Sequence, residues 1–140
     1  MVSQSLVFIN FSVFAVWWAF VLLRPEMALQ SLYDLGFKPD YLGSASFELL
    51  TLVSSMFMHG SPMHLLMNMI ILILLGVPFE DKIGSVAFLK LYVISGIIGS
   101  LLTGTISFWN QAEDLETVHI GASGAIFGIM GAFVLLYPKL

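Results

Sequence analysis

The sequence contains no cysteine and very little charge. Only 10% of its 140 residues are Asp, Glu, Lys or Arg, against roughly 25% in average soluble domains. Without cysteine, thiol catalysis and disulfide bonds are excluded, and five basic residues are too few for a phosphate-binding surface, so nucleic acid is not an expected partner. With 59% hydrophobic residues and a mean hydropathy of +0.97, the chain is predicted to be an integral membrane protein.

Four apolar stretches approach the roughly 20 residues that a helix needs to cross a hydrocarbon core of about 30 Å. They predict transmembrane helices over residues 6–23, 62–79, 86–109 and 121–137. The first stretch is too long for a signal-peptide core and lacks the usual flanking residues, so we interpret it as a retained helix. The segment 24–46 mixes large apolar side chains with charges, which favours an interfacial amphipathic segment over a solvated linker.

The orientation of the chain in the membrane is predicted from the distribution of its five basic residues. Lys82, Lys90 and Lys139 would lie on one side, and Arg24 and Lys38 on the other. By the positive-inside rule, the side with Lys82 is predicted to face the cytoplasm, and the acidic loop 113–116 to face outward.

Two polar clusters interrupt the apolar stretches, and polar groups at membrane depth point to function. In the first, His64 and Asn68 are four residues apart at the start of the second helix, so both side chains project from one face. They could stabilise a developing oxyanion, or they could be hydrogen-bonding contacts between helices. His59 precedes the helix and is interpreted as an interfacial or loop-pinning residue rather than a catalyst.

The second cluster is a serine among glycines at the start of the fourth helix. Gly121, Gly124, Gly128 and Gly131 form one stripe along the helix, and Ser123 lies beside it. Close helix packing alone would account for such a pattern. Alternatively, close packing places a general base from another helix next to the Ser123 hydroxyl, and backbone N–H groups of the first turn help to bind an oxyanion. Small residues of the third helix, from Ser95 to Gly104, are interpreted as packing only.

Taken together, these residues resemble the rhomboid family of intramembrane serine proteases. The resemblance rests on the order of His59, His64-x-x-x-Asn68, Glu80-x-x-x-Gly84-Ser85 and Gly121-x-Ser123-Gly124. It implies an all-α, polytopic helical bundle with a six-helix core, of which four helices are present. It further implies that Ser123 is the nucleophile and that His64 and Asn68 stabilise the oxyanion. The residues implied to support them are Gly121, Ala122, Gly124, Phe127 and His59.

In the family, the base is a histidine on the sixth helix, packed on the fourth helix near the position of Phe127. The resemblance implies a Ser–His dyad without metal or other cofactor, acting on transmembrane protein substrates in the bilayer, in a prokaryotic cell membrane. The fifth and sixth helices, expected as partners of this partial domain, are absent, so residues 1–140 alone are predicted to be inactive. The alternative is a noncatalytic pseudoprotease that binds membrane-protein clients.

Three features depart from the family pattern or bear on the missing base. Phe47-Glu48 stands where the family often has Trp-Arg. Phe127 stands where the family often has a tyrosine that stacks on the catalytic histidine, so the ring is kept and the hydroxyl is lost. His119 lies four residues before Ser123, which would suit a continuous helix, but Gly121 predicts that the helix starts near Ser123 and leaves His119 in a loop. We also expect the glycine stripe to need the absent helices as its packing partner.

Overall fold

The computed structural model describes residues 1–43, 47–109 and 118–137. In these ranges the chain is helical and contains no strand, apart from one isolated bridge between Phe37 and His119. The predicted all-α helical bundle is therefore confirmed. The acidic loop 113–116 and Lys139 lie outside the described residues. The helices are α1 Val2–Leu23, α2 Pro25–Leu35, α3 Glu48–Phe57, α4 Pro62–Ile83, α5 Ser85–Trp109 and α6 Ser123–Leu136.

Three helices are long and apolar enough to cross a membrane, namely α1, α4 and the Ser85–Ser107 part of α5. The fourth predicted helix corresponds to α6, which has 14 residues. At about 1.5 Å per residue it is about 21 Å long, which is less than the thickness of the hydrocarbon core. It begins two residues later than predicted, because Gly121 has a φ of +114°, which lies outside helical geometry.

Helix α4 continues past the predicted end at residue 79. Its regular part, Pro62–Ile71, is followed by a π-helical turn, Leu72–Gly76, and by a last α-helical part, Val77–Ile83. Pro78 cannot donate a backbone hydrogen bond to the preceding turn, and the wider π-turn before it accommodates this loss. The helix ends at Gly84, whose φ of +83° favours glycine.

A buried carboxylate near the end of α4 caps the beginning of α1. The Glu80 carboxylate accepts the backbone N–H groups of Val2 and Ser3, each at 2.7 Å, and also accepts the Ser85 hydroxyl. The first N–H groups of a helix have no partner within it, and the helix dipole favours a negative charge there. Glu80 therefore fixes the N-terminal end of α1 against the turn between α4 and α5.

Helices α5 and α6 approach each other through glycines. A Cβ atom built on Gly99 would lie 3.1 Å from the Cα of Gly124, and one built on Gly128 would lie 2.0 Å from the Oγ of Ser95. Larger side chains at these positions would force the helices apart, so the small residues permit the close packing.

The glycine stripe of α6 is thus mostly covered within the chain. Gly124 and Gly128 face α5, Gly121 faces α4, and a Cβ atom built on Gly131 would have no other atom within 4 Å among the described residues. The expectation that the stripe needs further helices is wrong for the first three glycines, because the small-residue face of α5 and the start of α4 cover them. Interpreting that face as packing is correct: Gly96 lies against Met56.

The C-terminal ends of α4 and α6 pack against each other. The ring of Phe79 packs against Phe133 and Tyr137 at centroid distances of 5.6 and 6.2 Å, and Lys82 Nζ lies 4.7 Å from the centre of the Tyr137 ring. Since α4 spans 22 residues and α6 spans 14, α6 begins below the first residue of α4. The segment that leads into Ser123 lies beside the first two turns of α4, at His64 and Asn68.

Helix α2 folds back against α1. The indole N–H of Trp17 donates to the carbonyl of Ala28 at 3.1 Å, which joins the two helices near their connection. Met27, Leu29, Tyr33 and Leu35 of α2 are exposed. Its position at the membrane interface stays a prediction, which these exposed apolar side chains favour.

Candidate functional site

The segment before Ser123 is held in place by two other parts of the chain. The N–H of His119 donates to the carbonyl of Phe37 at 2.7 Å, and the N–H of Phe37 donates to the carbonyl of His119 at 3.0 Å. The N–H of Gly121 donates to the carbonyl of Ser55 at 2.8 Å. Non-helical backbone at membrane depth requires such partners. These bonds fix the point at which α6 begins.

The start of α4 presents its polar residues to this segment. Ser61 is the N-cap, and its hydroxyl accepts the backbone N–H of His64 at 3.1 Å. Pro62 occupies the first helical turn, where its missing N–H costs no hydrogen bond, as predicted. The cap directs the first turns of α4, and with them His64 and Asn68, towards the beginning of α6.

His64 and Asn68 meet at Gly121. A Cβ atom built on Gly121 would lie 2.6 Å from Nε2 of His64 and 3.6 Å from Nδ2 of Asn68. The Asn68 side chain is buried, and its Nδ2 makes no hydrogen bond with the residues that the structure describes. Two side chains capable of donating hydrogen bonds therefore lie over the backbone two residues before Ser123, and one of them has an unused donor.

Ser123 is the first residue of α6 and is partly buried. The first hydrogen bond of the helix runs from the N–H of Ile126 to the carbonyl of Ala122, so the N–H groups of Ser123 and Gly124 precede the helical pattern. Within the described ranges, the Ser123 hydroxyl forms no hydrogen bond with a histidine. Ala122 is fully buried and anchors this turn in the core.

His59 is deeply buried within the described chain. It is 1% exposed, and its ring lies 5.0 Å from the ring of His64, centre to centre. Burial, together with the neighbouring His64, lowers the pKa of His59 to about 4. The interpretation of His59 as an interfacial or loop-pinning residue stays a prediction, and its ring packs against the start of α4. At neutral pH the ring is uncharged.

His119 lies in the segment before α6, as the sequence predicts, and not on the helix. Its backbone pairs with Phe37, and its ring lies 6.5 Å from the Phe37 ring. Burial lowers the pKa of His119. Its Nε2 is buried and makes no hydrogen bond within the described part of the chain.

A groove of about 580 Å³ opens beside Ser123. One wall is α5 and the other is α6, with the segment before α6 at one end. Phe127, one turn after Ser123, is 68% exposed and stands at the groove, so this face of α6 is uncovered in the described chain. Other residues that line the groove are Ser55, Ser95, Ser100, Thr103, His119 and Gly128.

Sequence reasoning missed two residues that shape the site. Phe37 and Ser55 hold the segment before α6 through backbone hydrogen bonds, which carry no side-chain signal. No group of three or more potential metal ligands of the His, Cys, Asp and Glu types occurs in the described residues.

The fold and this site together define an integral membrane protein with a buried polar site at the start of a short helix. A family model described as the Rhomboid domain matches residues 46–140. The chain belongs to the rhomboid family. This confirms the family that the motifs suggest.

Three relatives illustrate the similarity. Rhomboid protein 1, mitochondrial, of Saccharomyces cerevisiae is 34% identical over 96% of this chain and 36% of its own length. The Bacillus subtilis protein YdcA is 37% identical over 68% of this chain and 45% of its own. Rhomboid-like protease 3 of Toxoplasma gondii is 31% identical over 62% of this chain and 30% of its own. No solved structure matches the chain significantly.

The chain thus spans less than half the length of each of these relatives. They come from a bacterium, a yeast mitochondrion and Toxoplasma gondii, so they give no support to the predicted prokaryotic membrane. Membership of the family and the three membrane-length helices establish an integral membrane protein.

Proposed function

We propose that the protein is an intramembrane serine endopeptidase, with Ser123 as its nucleophile. The observation that carries this proposal is the meeting of His64 and Asn68 over Gly121, two residues before Ser123. Hydrogen-bond donors that converge on the backbone just before a serine suit the stabilisation of an oxyanion in acyl transfer. Family membership supports the same reaction class.

The depth of the site supports a substrate in the membrane. α6 begins below the first residue of α4, and the groove beside Ser123 lies between two apolar helices. A transmembrane segment that unwinds locally would present its peptide carbonyl at this level. Membrane protein substrates within the bilayer are therefore the proposed partners.

The proposed reaction begins with attack of the Ser123 Oγ on the scissile carbonyl carbon, while a histidine removes the hydroxyl proton. The carbonyl oxygen becomes an oxyanion that accepts hydrogen bonds from His64, Asn68 and backbone N–H groups. The tetrahedral intermediate expels the amine, which takes the proton from the histidine. Water then hydrolyses the acyl-enzyme and regenerates the serine.

None of the three histidines of the chain is assigned as this base. His64 faces Gly121, His59 is packed against His64, and the buried Nε2 of His119 makes no hydrogen bond with Ser123 or any other described residue. We propose that the base is a histidine on a further helix that packs on the uncovered face of α6 around Phe127. No metal or other cofactor is part of the proposal.

The experiment that tests the proposal is cleavage of a model transmembrane substrate by the full-length protein in liposomes. Ser123→Ala should abolish cleavage and leave the amount of folded protein unchanged. The matched control is Ser12→Ala, because Ser12 is exposed on α1 and, among the described residues, its hydroxyl bonds only the carbonyl of Phe8 in its own helix. Cleavage by the Ser123→Ala variant at the wild-type rate would refute the assignment.

The same assay distinguishes a protease from the alternative, a noncatalytic protein that binds membrane-protein clients. A noncatalytic client-binding protein would retain the substrate on purification without cutting it, and Ser123→Ala would change neither property. A protease loses cleavage in this variant while it keeps substrate binding.

A further inference from the structure

A second groove, with a volume of about 360 Å³, lies between α1 and α2. It shares no lining residue with the groove beside Ser123. Its apolar walls are formed by Val13, Val16, Trp17 and Phe20 of α1, Leu35 of α2 and the buried Met58. Val16 is 61% exposed, so the groove is open along one side of α1. The depth of the groove and the chemistry of its walls indicate what fills it.

The groove lies at the depth of the acyl chains of one leaflet. From Val13 to Phe20 it follows two turns of α1, about 11 Å, in the C-terminal half of this 22-residue helix. Since α1 is long and apolar enough to cross a hydrocarbon core of about 30 Å, this half lies in one leaflet of about 15 Å. The open side of the groove therefore meets hydrocarbon rather than water.

The polar side chains at the groove have their hydrogen bonds within the protein. The indole N–H of Trp17 donates to the carbonyl of Ala28, and the serine hydroxyls at the groove donate to backbone carbonyls of their own helices. A ligand is therefore held by apolar contact. An apolar cavity of about 150 Å³ holds benzene, so this groove suits a stretch of hydrocarbon chain. Two turns of a helix about 10 Å across would need about 850 Å³.

The charges beyond the upper end of the groove suit a zwitterionic headgroup. Arg24 lies one turn beyond Phe20, and its N–H donates to the Phe20 carbonyl at 2.7 Å. Glu26 follows two residues later, and both side chains are exposed. A guanidinium beside a carboxylate complements the phosphate and the ammonium of one headgroup, whereas an anionic headgroup has no ammonium for Glu26.

We propose that the groove between α1 and α2 binds one acyl chain of a zwitterionic phospholipid, with the headgroup at Arg24. The chain packs between Val16 and Leu35, and it fills the space between two helices that are joined at Trp17. A bound chain thus holds α2 against α1. The inference does not depend on the role of Ser123.

The test is native mass spectrometry of the full-length protein, freed of lipid in detergent and titrated with palmitoyl-oleoyl phosphatidylcholine. We expect one tightly bound lipid. In Val16→Trp the indole displaces at least two methylenes of the chain, each worth about fourfold in affinity, so binding should weaken at least about tenfold. Leu22→Trp is the matched control: Leu22 is 70% exposed and, nine residues from Val13, lies on the opposite face of α1. It should leave binding unchanged.

Thermal unfolding of each variant identifies any that does not fold, and Leu35→Trp, which fills the groove from α2, then replaces Val16→Trp. Glycerophosphocholine, a headgroup without chains, should not bind, and phosphatidylglycerol should bind more weakly than phosphatidylcholine. A wild type that retains no lipid, or retention that both folded groove variants leave unchanged, would overturn the site. A wild-type dimer that holds no lipid and becomes monomeric in Val16→Trp would show that a second copy fills the groove. Tighter binding of phosphatidylglycerol would refute the zwitterionic headgroup.

Discussion

Gly121 combines two constraints that a residue with a side chain meets only at a cost. Its φ is +114°, and a Cβ atom at this position would lie 2.6 Å from Nε2 of His64. We expect Gly121→Ala to cost about 1–3 kcal/mol of stability through backbone strain. Because the added methyl also displaces His64, kcat should fall about 100-fold. Unfolding in detergent and substrate cleavage measure the two effects.

The matched control for this variant is Gly131→Ala. Gly131 lies on the same helix stripe, its backbone is helical, and a Cβ atom there would contact nothing within 4 Å among the described residues. It should leave stability unchanged or raise it slightly, by less than about 1 kcal/mol. Equal losses in the two variants would show that Gly121 has no special contact with α4.

The proposed oxyanion donors should affect the chemical step. Donors of this kind act mainly in the transition state, so their removal lowers kcat and leaves KM nearly unchanged. We expect His64→Ala to lower kcat by about 10²–10³. Asn68→Ala should lower it by less, because backbone N–H groups of the first α6 turn remain. Unchanged kcat with a raised KM in steady-state assays would indicate that the pair only packs the helices.

His59 predicts a dependence of stability on pH. Its pKa is about 4 in the folded protein, below the ordinary value of 6.5, so the unfolded chain takes up the proton first as the pH falls. The contribution of neutral His59 is therefore complete above pH 6.5 and is lost between about pH 6.5 and 4, by roughly 3 kcal/mol.

The measurement is the free energy of unfolding across this pH range. His59→Gln should flatten the profile between pH 6.5 and 4 relative to the wild type. A wild-type stability that is constant over this range would contradict the burial of a neutral histidine beside His64.

At the residue scale, part of the site could be predicted from the sequence. The spacing of His64 and Asn68 places them on one face of a helix wherever that helix packs. Their meeting with Gly121 could not be predicted, because it depends on how α4 packs against a segment more than 50 residues away. The burial of His59 depends on the same packing.

At the scale of helices, the contact between α5 and α6 depends on Gly128. A Cβ atom there would lie 2.0 Å from Oγ and 2.2 Å from Cβ of Ser95, so rotation of the serine hydroxyl cannot relieve the overlap. We expect Gly128→Ala to destabilise the protein by about 1–3 kcal/mol.

A second substitution tests whether this contact is the cause. Ser95→Gly removes the overlapping atoms, so the double variant should recover most of the stability lost in Gly128→Ala. The coupling is measured by unfolding of the two single variants and the double variant. Strict additivity of the two changes would contradict the observed approach of the helices.

Hydropathy predicted the apolar helices α1, α4, α5 and α6, but neither α3 nor the end of α4 and the start of α6. The continuation of α4 to Ile83 depends on a π-turn before Pro78, which a periodic pattern does not reveal. The cap that Glu80 provides for α1 joins residues 77 and 78 positions apart. Such a long-range contact depends on how the helices pack. In the sequence, Glu80 is only a charged residue after an apolar stretch, and nothing there indicates its partners.

At the scale of the whole molecule, α6 has one covered face and one uncovered face. Its glycines pack on α5, while Phe127, Val134, Leu135 and Leu136 are exposed. The proposed base would approach Ser123 from the uncovered side. We therefore expect residues 1–140 alone to be inactive and the full-length protein to be active.

The proposed role of Ser123 is best measured by labelling with a fluorophosphonate, which reacts with activated serine hydroxyls. The protein should be labelled in membranes, and the modified residue should be mapped by mass spectrometry. We expect modification of Ser123 in the full-length protein, no modification in residues 1–140 alone, and restored modification when a separately made segment with the remaining helices is added. Modification of a different residue in an active full-length protein, or labelling of Ser123 at the full rate in residues 1–140 alone, would contradict this role.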